Sequence, residues 1–305
     1  MILGAHLGIA GGLAEAVRSG RAIGCDAIQI FSKSPQMWAG PAIAPVAAEE
    51  FREAVRSQGL RATAVHHGYL ANLASPKRPM LERSRRAFAD EMVRAELLGV
   101  DALIFHPGAH LSSGTDAGIA TIVESLTEAI DARPDGTVRL LLEHMAGQGT
   151  TLGSSFEELA TVLRALDRPD RVGVALDTCH LFASGVDFRA EEGYGAMVDR
   201  IDRTVGRAAV GAFHLNDAKA PLGSHLDRHE NIGRGEIGLE GFRHLVNDRR
   251  WDATPAYLET PLDDHGYARY AEDLATLRGL LESPATNRSA PAGRRRARPR
   301  ASTVK

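Results

Sequence analysis

The sequence predicts an eightfold (β/α) barrel, a single TIM-barrel domain over residues 1–282, and three observations lead there. Eight short apolar runs alternate with longer segments of near-3.6 periodicity across the body, the pattern of parallel strands joined by crossover helices. Residues able to bind metal recur where the apolar runs end, and this fold gathers chemistry at the C-terminal ends of its strands. No linker-like stretch divides residues 1–282, and no internal repeat is present. A doubly wound sheet accounts less well for the count and length of the alternations.

The strand candidates, in order, are ILGAH (2–6), AIQIF (27–31), RATAVHH (61–67), ALIFH (102–106), VRLLLE (138–143), VGVALD (172–177), AVGAFHL (209–215) and AYLET (256–260). The first helix follows the GIAGG turn as GLAEAVRSG. GIAGG lacks the spaced glycines of a nucleotide loop, which argues against a dinucleotide site. Segment 81–99, LERSRRAFADEMVRAELLG, carries Ala87, Met92, Ala95 and Leu98 on one side and Arg and Glu on the other. Segment 155–167, SFEELATVLRALD, reads as a second clear helix.

Composition limits the function classes. The chain is 44% hydrophobic and 25% charged, ordinary for a soluble protein with a sizeable core, and its 5% aromatics leave that core to Leu, Val, Ile and Ala. Two cysteines far apart, Cys25 and Cys179, point to packing in a reducing compartment and not to a disulfide framework. Met1–His6 reads directly into a strand with no basic region before it, so no secretory leader is expected. No apolar run approaches the ~18 residues needed to span a bilayer. A soluble, cytoplasmic protein with no membrane partner follows as the expectation. Six Arg and one Lys fall in 283–305 with no acid, which leaves 29 basic against 39 acidic residues in the body. That segment, rich in Pro, Ala, Ser and Arg, is expected to be a disordered tail, either a solvated end or a non-specific phosphate tether.

The chemistry is concentrated in His66, His106, Glu143, Asp177, His180, His214, Asp227, His229 and Glu259. Five imidazoles and four carboxylates exceed what one divalent ion takes, and suit two or three ions sharing a carboxylate bridge. Six of them, His66, His106, Glu143, Asp177, His214 and Glu259, stand at or beside strand ends, so a barrel would surround one point with them. Asp177 and His180 are one helical turn apart. Asp227 and His229 are two apart, a spacing that sends both side chains one way if the chain is extended. The glycines of ENIGRGEIG allow either a flexible turn or a close backbone approach to phosphate. His67, His110, His144, His225 and His265 are assigned supporting or solvent-facing roles. Such a constellation reads as a multi-metal hydrolase of phosphate esters.

The strings GAHLGIAGGL, HHGYLANLASP, FHPGAHL, LDTCHLFASG, HLNDAK and GSHLDRHENIGRGEIG resemble the endonuclease IV type of apurinic/apyrimidinic endonuclease, in order and over nearly all of residues 1–280. The resemblance implies a (β/α) barrel with three Zn2+ ions, Mn2+ being an option at one site. It implies cleavage of duplex DNA on the 5′ side of abasic sites to leave a 3′-hydroxyl, with 3′-blocked ends as further substrates. It also implies a monomer acting at the bacterial nucleoid. Carried over position by position, His66 and His106 would hold the first zinc, with Glu143 bridging to the second. Asp177, His214 and Glu259 would complete the second site, and His180, Asp227 and His229 the third. Glu143 and Glu259 would be the catalytic carboxylates, and Tyr69 and Gln36 would contact DNA. Two positions depart from the family pattern: His144 follows the bridging Glu where Asn is frequent, and Gln36 stands where Arg is common.

Two other readings compete. A sugar isomerase or epimerase of the xylose-isomerase-like barrels would need only one metal, on Glu143, Asp177, His214 and Glu259, leaving five ligands without a task. A catalytically idle DNA-binding or structural protein would have no need of an intact ligand set. Three zincs per chain, one, or none separate the three readings.

Overall fold

Ten strands form among the described residues, eight of them where the apolar runs lie: β1 (Ile2–Leu7), β2 (Ala27–Phe31), β3 (Ala62–His66), β4 (Ala102–Phe105), β5 (Arg139–Glu143), β6 (Val172–Asp177), β7 (Val210–His214), β8 (Asp217–Ala218), β9 (His229–Glu230) and β10 (Pro255–Leu258). Eight of them close a barrel in the order β1-β10-β7-β6-β5-β4-β3-β2, every pairing parallel. The barrel is the predicted (β/α)8 fold. This computed structural model describes residues 1–282; the tail expected at 283–305 lies outside the described residues.

Helices α1 (Leu13–Ala22), α2 (Pro45–Gln58), α3 (Arg78–Leu98), α4 (Thr115–Asp131), α5 (Phe156–Leu166), α6 (Thr178–Ala183), α7 (Glu191–Thr204), α8 (Gly238–Asn247) and α9 (Tyr267–Gly279) occupy the intervals between barrel strands. Helix α3 begins three residues before the 81–99 periodicity because Pro79 supports its first turn, and it stops at Gly99, whose φ of 67° suits the left-handed C-terminal cap. Its expected apolar face, Ala87, Met92, Ala95 and Leu98, is buried. Ser155 caps α5 by accepting from the Glu158 N–H at 3.2 Å. No helix among the described residues is long and apolar enough to cross a membrane.

Strand alternation splits the core into two layers. Leu3, Ile28, Ile30, Val65, Leu103, Phe105, Leu140, Leu142, Val174, Leu176 and Phe213 face outward and pack under the helices. A separate inner cluster, Ile2, Ala27, Ala62, Ala64, Ala102, Ile104, Leu141, Ala175, Ala212 and Tyr257, fills the barrel. The alanines keep this interior narrow, and Gly4 narrows it further: a Cβ there would stand 1.9 Å from the Ala27 carbonyl oxygen. Side chains alternate with period two, so the residue two places beyond an inner one also points inward, nearer the C-terminal mouth. From Ala27, Ala64, Ile104, Leu141, Ala175, Ala212 and Tyr257 that step reaches Gln29, His66, His106, Glu143, Asp177, His214 and Glu259. Strand parity therefore places six of the nine expected ligands in the top layer of the barrel.

The two remaining strands form an antiparallel hairpin, with Asp217 opposite Glu230 and Ala218 opposite His229. It grows from the exit of β7 and carries His229 back over the barrel mouth. Two-residue strands leave no alternation to read, so the hairpin is not among the strand candidates of the sequence.

Candidate metal centre

Among the described residues five groups have possible ligand atoms within 4.8 Å of one another, and three of them take in all nine residues: His66, His106 and Glu143; Glu143, Asp177, His214 and Glu259; and His180, Asp227 and His229. Glu143 belongs to two sets. Its Oε2 lies 3.0 Å from His66 Nε2 and 3.2 Å from His106 Nε2, and its Oε1 lies 3.0 Å from His214 Nδ1. Asp227 stands between the two imidazoles of the third set, 3.2 Å from His180 Nε2 and 3.1 Å from His229 Nε2. Asp177 lies 3.6 Å from His229 Nε2 and 3.8 Å from His214 Nδ1, linking the second and third sets.

The helical turn inferred between Asp177 and His180 exists, but it serves a different purpose from co-ligation. Asp177 is the N-cap of α6, and its Oδ1 accepts from the His180 N–H at 2.9 Å. The cap fixes the turn, and the two side chains then go to different sets. Asp227 and His229 do converge, as their spacing predicts.

Four imidazoles are anchored through one ring nitrogen, and that of His180 also lies 3.3 Å from Glu143 Oε1. His66 Nδ1–H donates to the His67 carbonyl at 2.8 Å, His180 Nδ1–H to the His144 carbonyl at 2.9 Å, and His229 Nδ1–H to the Glu259 carbonyl at 3.1 Å. His214 Nε2–H donates to Gln29 Oε1 at 2.9 Å. With one proton committed outward, each ring of neutral imidazole turns a bare nitrogen toward carboxylate oxygens. Lone pair facing lone pair is repulsive unless a cation lies between them. The Nε2 atoms of His180 and His229 are buried and have no hydrogen-bond partner. Donors of this kind, imidazole nitrogen and carboxylate oxygen without sulfur, fit divalent ions such as Zn2+ or Mn2+.

Electrostatics agree with that demand for positive charge. Burial would raise the Glu143 carboxyl, but His214, His106 and His180 outweigh it and hold the group well below its ordinary value. Burial is likewise outweighed at Glu259 by His214 and His6, and at Asp227 by His180 and His229, so both are lowered. Burial depresses imidazoles, yet Glu259 and Glu143 carry His214 up to about 9, and Asp177 and Asp227 carry His229 up to about 9. His180 rises well above its usual value through Asp177 and Asp227 once burial is overcome.

The residues expected to touch DNA lie apart from the three sets. Tyr69 is exposed on the loop after β3, its ring edge-on to Phe31 at 5.8 Å, and Phe31 in turn lies 5.6 Å from His66. Gln36 and its neighbour Met37 are exposed on the loop after β2. The two loops abut, since a Cβ on Gly68 would stand 2.9 Å from the Pro35 carbonyl oxygen.

None of the other five histidines first considered joins a set. His67 and His144 are buried and pushed down by burial to about 4 and about 3. His144 contributes its main-chain carbonyl to His180 while its ring packs on Phe156 at 5.3 Å. His110 Nδ1 accepts from the Gly114 N–H, His225 Nδ1–H donates to the Ala146 carbonyl, and His265 is exposed. Cys179 lies near Asp177 and His229 but is a buried thiol, pushed up by burial to about 12, with its Sγ directed at the Arg228 carbonyl. The glycines of ENIGRGEIG are neither a loose turn nor open to phosphate. The N–H groups of Gly233, Gly235 and Ile237 all donate to the Asp217 carboxylate, at 2.9 to 3.0 Å.

Sequence reasoning missed Gln29, Asn216, Asp217 and His6. Asn216 is buried, donates through Nδ2 to Asp177 Oδ2 at 2.7 Å and accepts the Glu259 N–H at 2.9 Å. His6, the penultimate residue of β1, has Nδ1 3.2 Å from Glu259 Oε1. A polar residue inside an apolar run marks Gln29 in AIQIF, and the strand-end position that drew attention to His66 also marks His6.

A closed parallel barrel with a carboxylate–imidazole cluster at its C-terminal mouth defines a class of barrels equipped with possible metal ligands. Residues 17–280 match the family described as xylose isomerase-like TIM barrel. Within that class, the chain is 44% identical over 262 residues to a probable endonuclease 4 of Geobacter sulfurreducens, covering 86% of this chain and 88% of that one. It is 41% identical over 279 residues to a probable endonuclease 4 of Chloroflexus aurantiacus, covering 92% and 98%. The crystal structure of endonuclease IV from Thermus thermophilus superimposes with a TM-score of 0.81 at 35% identity, over 92% of this chain and 98% of that one. The chain belongs to the endonuclease IV family of these barrels. D-psicose 3-epimerase from Clostridium cellulolyticum, at 18% identity and a TM-score of 0.69, shares the fold alone.

Proposed function

We propose that the protein is a DNA repair endonuclease that hydrolyses the phosphodiester 5′ to abasic sites in duplex DNA, using three divalent metal ions, zinc by preference. The observation that supports this reading is that three of the five ligand groups take in all nine residues, with Glu143 common to two of the three. His66, His106 and Glu143 would hold one ion, Glu143, Asp177, His214 and Glu259 a second, and His180, Asp227 and His229 a third. Such ions, when bound, lower the pKa of water to about 7 and neutralise charge on a phosphoryl group.

The chain's own residues do the positioning. Glu143, almost wholly buried, would serve the first two sites together, since its Oε2 faces His66 and its Oε1 faces His214. Glu259 sits at the mouth with its main-chain N–H held by Asn216, so its carboxylate is fixed where substrate and water enter. Asp227, more exposed than the imidazoles it joins, brings the third set to the rim. Attack of a water oxygen on phosphorus breaks the P–O3′ bond, leaving a 3′-hydroxyl on one fragment and a 5′-phosphate on the abasic one. The departing 3′ oxygen takes up a proton. A stacked nucleotide cannot bring its phosphate to a recessed site, whereas an abasic one lacks the stacking that resists extrusion. Tyr69 and Gln36, on abutting exposed loops, are suited to enter the space the missing base leaves, and 3′-blocked ends would reach the same mouth. The basic segment 283–305 would add attraction for phosphate without sequence preference.

One observation favours a second reading, a single-metal sugar isomerase: Glu143, Asp177, His214 and Glu259 form a set of their own. Five further ligands around that quartet weigh against it. Incubation of the full chain with a duplex carrying one tetrahydrofuran abasic analogue, alongside measurement of bound metal, tests the proposal. Cleavage immediately 5′ to the analogue, abolished by chelator and restored by zinc, with about three ions per chain, is the expected result. One ion per chain and an intact duplex would replace the nuclease with the isomerase.

A further inference from the structure

Three of the four anchored imidazoles lean on main-chain carbonyls, which no substitution can remove. The fourth, His214, leans on the side chain of Gln29. Gln29 is fully buried in β2, on the opposite side of His214 from Glu143. Its Nε2 lies 2.6 Å from Glu259 Oε1 and 2.8 Å from His6 Nδ1, and its Oε1 lies 2.9 Å from His214 Nε2.

Chemistry fixes which way the amide points. An ionised carboxylate only accepts hydrogen bonds, so the amide –NH2 must face Glu259. The amide oxygen is then left facing His214, which must answer it with Nε2–H. Neutral His214 therefore carries its lone pair on Nδ1, the nitrogen directed at Glu143 Oε1 (3.0 Å), Glu259 Oε2 (3.5 Å) and Asp177 Oδ2 (3.8 Å). The same amide engages Glu259 through Oε1 and leaves Oε2 for the cluster.

We propose that Gln29 is a positioning residue for the second ligand set, one carboxamide that selects the Nδ1 donor of His214 and the free oxygen of Glu259 together. The inference rests on the metal-centre reading above and extends it to a strand from which no ligand was drawn. Gln29 touches neither the proposed substrate nor the ion; it acts through two ligands. Outer partners of this kind ordinarily change metal affinity by about 10- to 100-fold when removed.

The test uses the full chain stripped of metal and titrated with Zn2+ against a chromogenic chelator, comparing the parent protein with Gln29→Met, which keeps the length of the side chain and loses its contacts with Glu259, His6 and His214. One of the three ions should bind about 10- to 100-fold more weakly in the variant while the other two are unchanged. The melting temperature of the metal-free variant should stay within a few degrees of the parent, which a merely structural role would not allow. Equal affinity for all ions in parent and variant overturns the positioning role and leaves the metal centre standing. A parent protein that binds no Zn2+ overturns the metal centre itself. A second measurement needs no variant: long-range nitrogen NMR of the zinc-loaded protein, labelled at histidine, should report His214 bound through Nδ1 with a proton on Nε2. Binding through Nε2 would overturn the proposal whether or not Gln29→Met folds.

Discussion

Zinc loading of the metal-free protein should expel protons, and the number follows from the cluster. His214 and His229 are carried up to about 9 by the carboxylates that face them. At pH 7 each is therefore roughly 99% protonated before metal arrives, since two pH units below a pKa leave about one molecule in a hundred neutral. Imidazole binds metal only when neutral, so these two alone release about two protons per chain, and the raised His180 adds to the total. Each such proton makes apparent affinity climb about tenfold per pH unit below 9. The set of His180, Asp227 and His229 should therefore gain about tenfold between pH 7 and pH 8 through His229, with a further gain through the raised His180, and the set containing His214 about tenfold. Isothermal titration with Zn2+ at pH 7, repeated in buffers of different ionisation enthalpy, counts the protons directly. Loading at pH 7 with no buffer-dependent heat would refute the reasoning. Stability has the matching sign. A histidine raised from 6.5 to about 9 contributes stability that is fully present below pH 6.5 and is lost as pH rises through 9. For the fully buried His214 this amounts to on the order of 3 kcal/mol. Metal-free protein should melt lower at pH 9 than at pH 6.5, and zinc should remove most of the difference.

Glu143→Gln and Glu259→Gln should each fold and lose several orders of magnitude in cleavage rate; near-normal turnover by both with metal retained would remove the carboxylates from their proposed roles. Tyr69→Ala should weaken binding to an abasic duplex more than to an intact one in a fluorescence anisotropy titration, and equal effects would assign the ring to packing on Phe31. Deleting residues 283–305 should leave turnover of a saturated short abasic duplex unchanged while raising KM at moderate salt and flattening the salt dependence of binding, because seven cationic groups leave the chain. An unchanged salt slope would make the segment a solvated end.

Strand positions were legible because each barrel strand is an apolar run of four to six residues whose ends are marked by a change of chemistry. Six ligands were legible for the same reason: a charged or imidazole side chain at the end of an apolar strand stands out. The hairpin that carries His229 was not, since two residues give no period to detect. Asp217 was hidden differently. HLND offers an unremarkable Asp, and only the folded path of residues 233–237 shows three amide groups closing on it. Gln29 and Asn216 stayed out of view because amides carry no charge, and a search for metal donors passes over groups that only orient donors.

The strand that supplies Glu259 also seals the barrel, pairing with β1 on one side and β7 on the other. Every earlier ligand can be synthesised while the sheet is still an open curl with β1 and β7 as free edges. On the proposed reading, a chain still emerging from the ribosome carries most of a nuclease's parts but no assembled blade. Glu259 must be made before the cluster can form. Premature termination or proteolytic loss anywhere upstream leaves an unclosed sheet without its last carboxylate. On that reading, any form that stops short of β10 lacks both the closed sheet and the carboxylate of Glu259, with no inhibitor required.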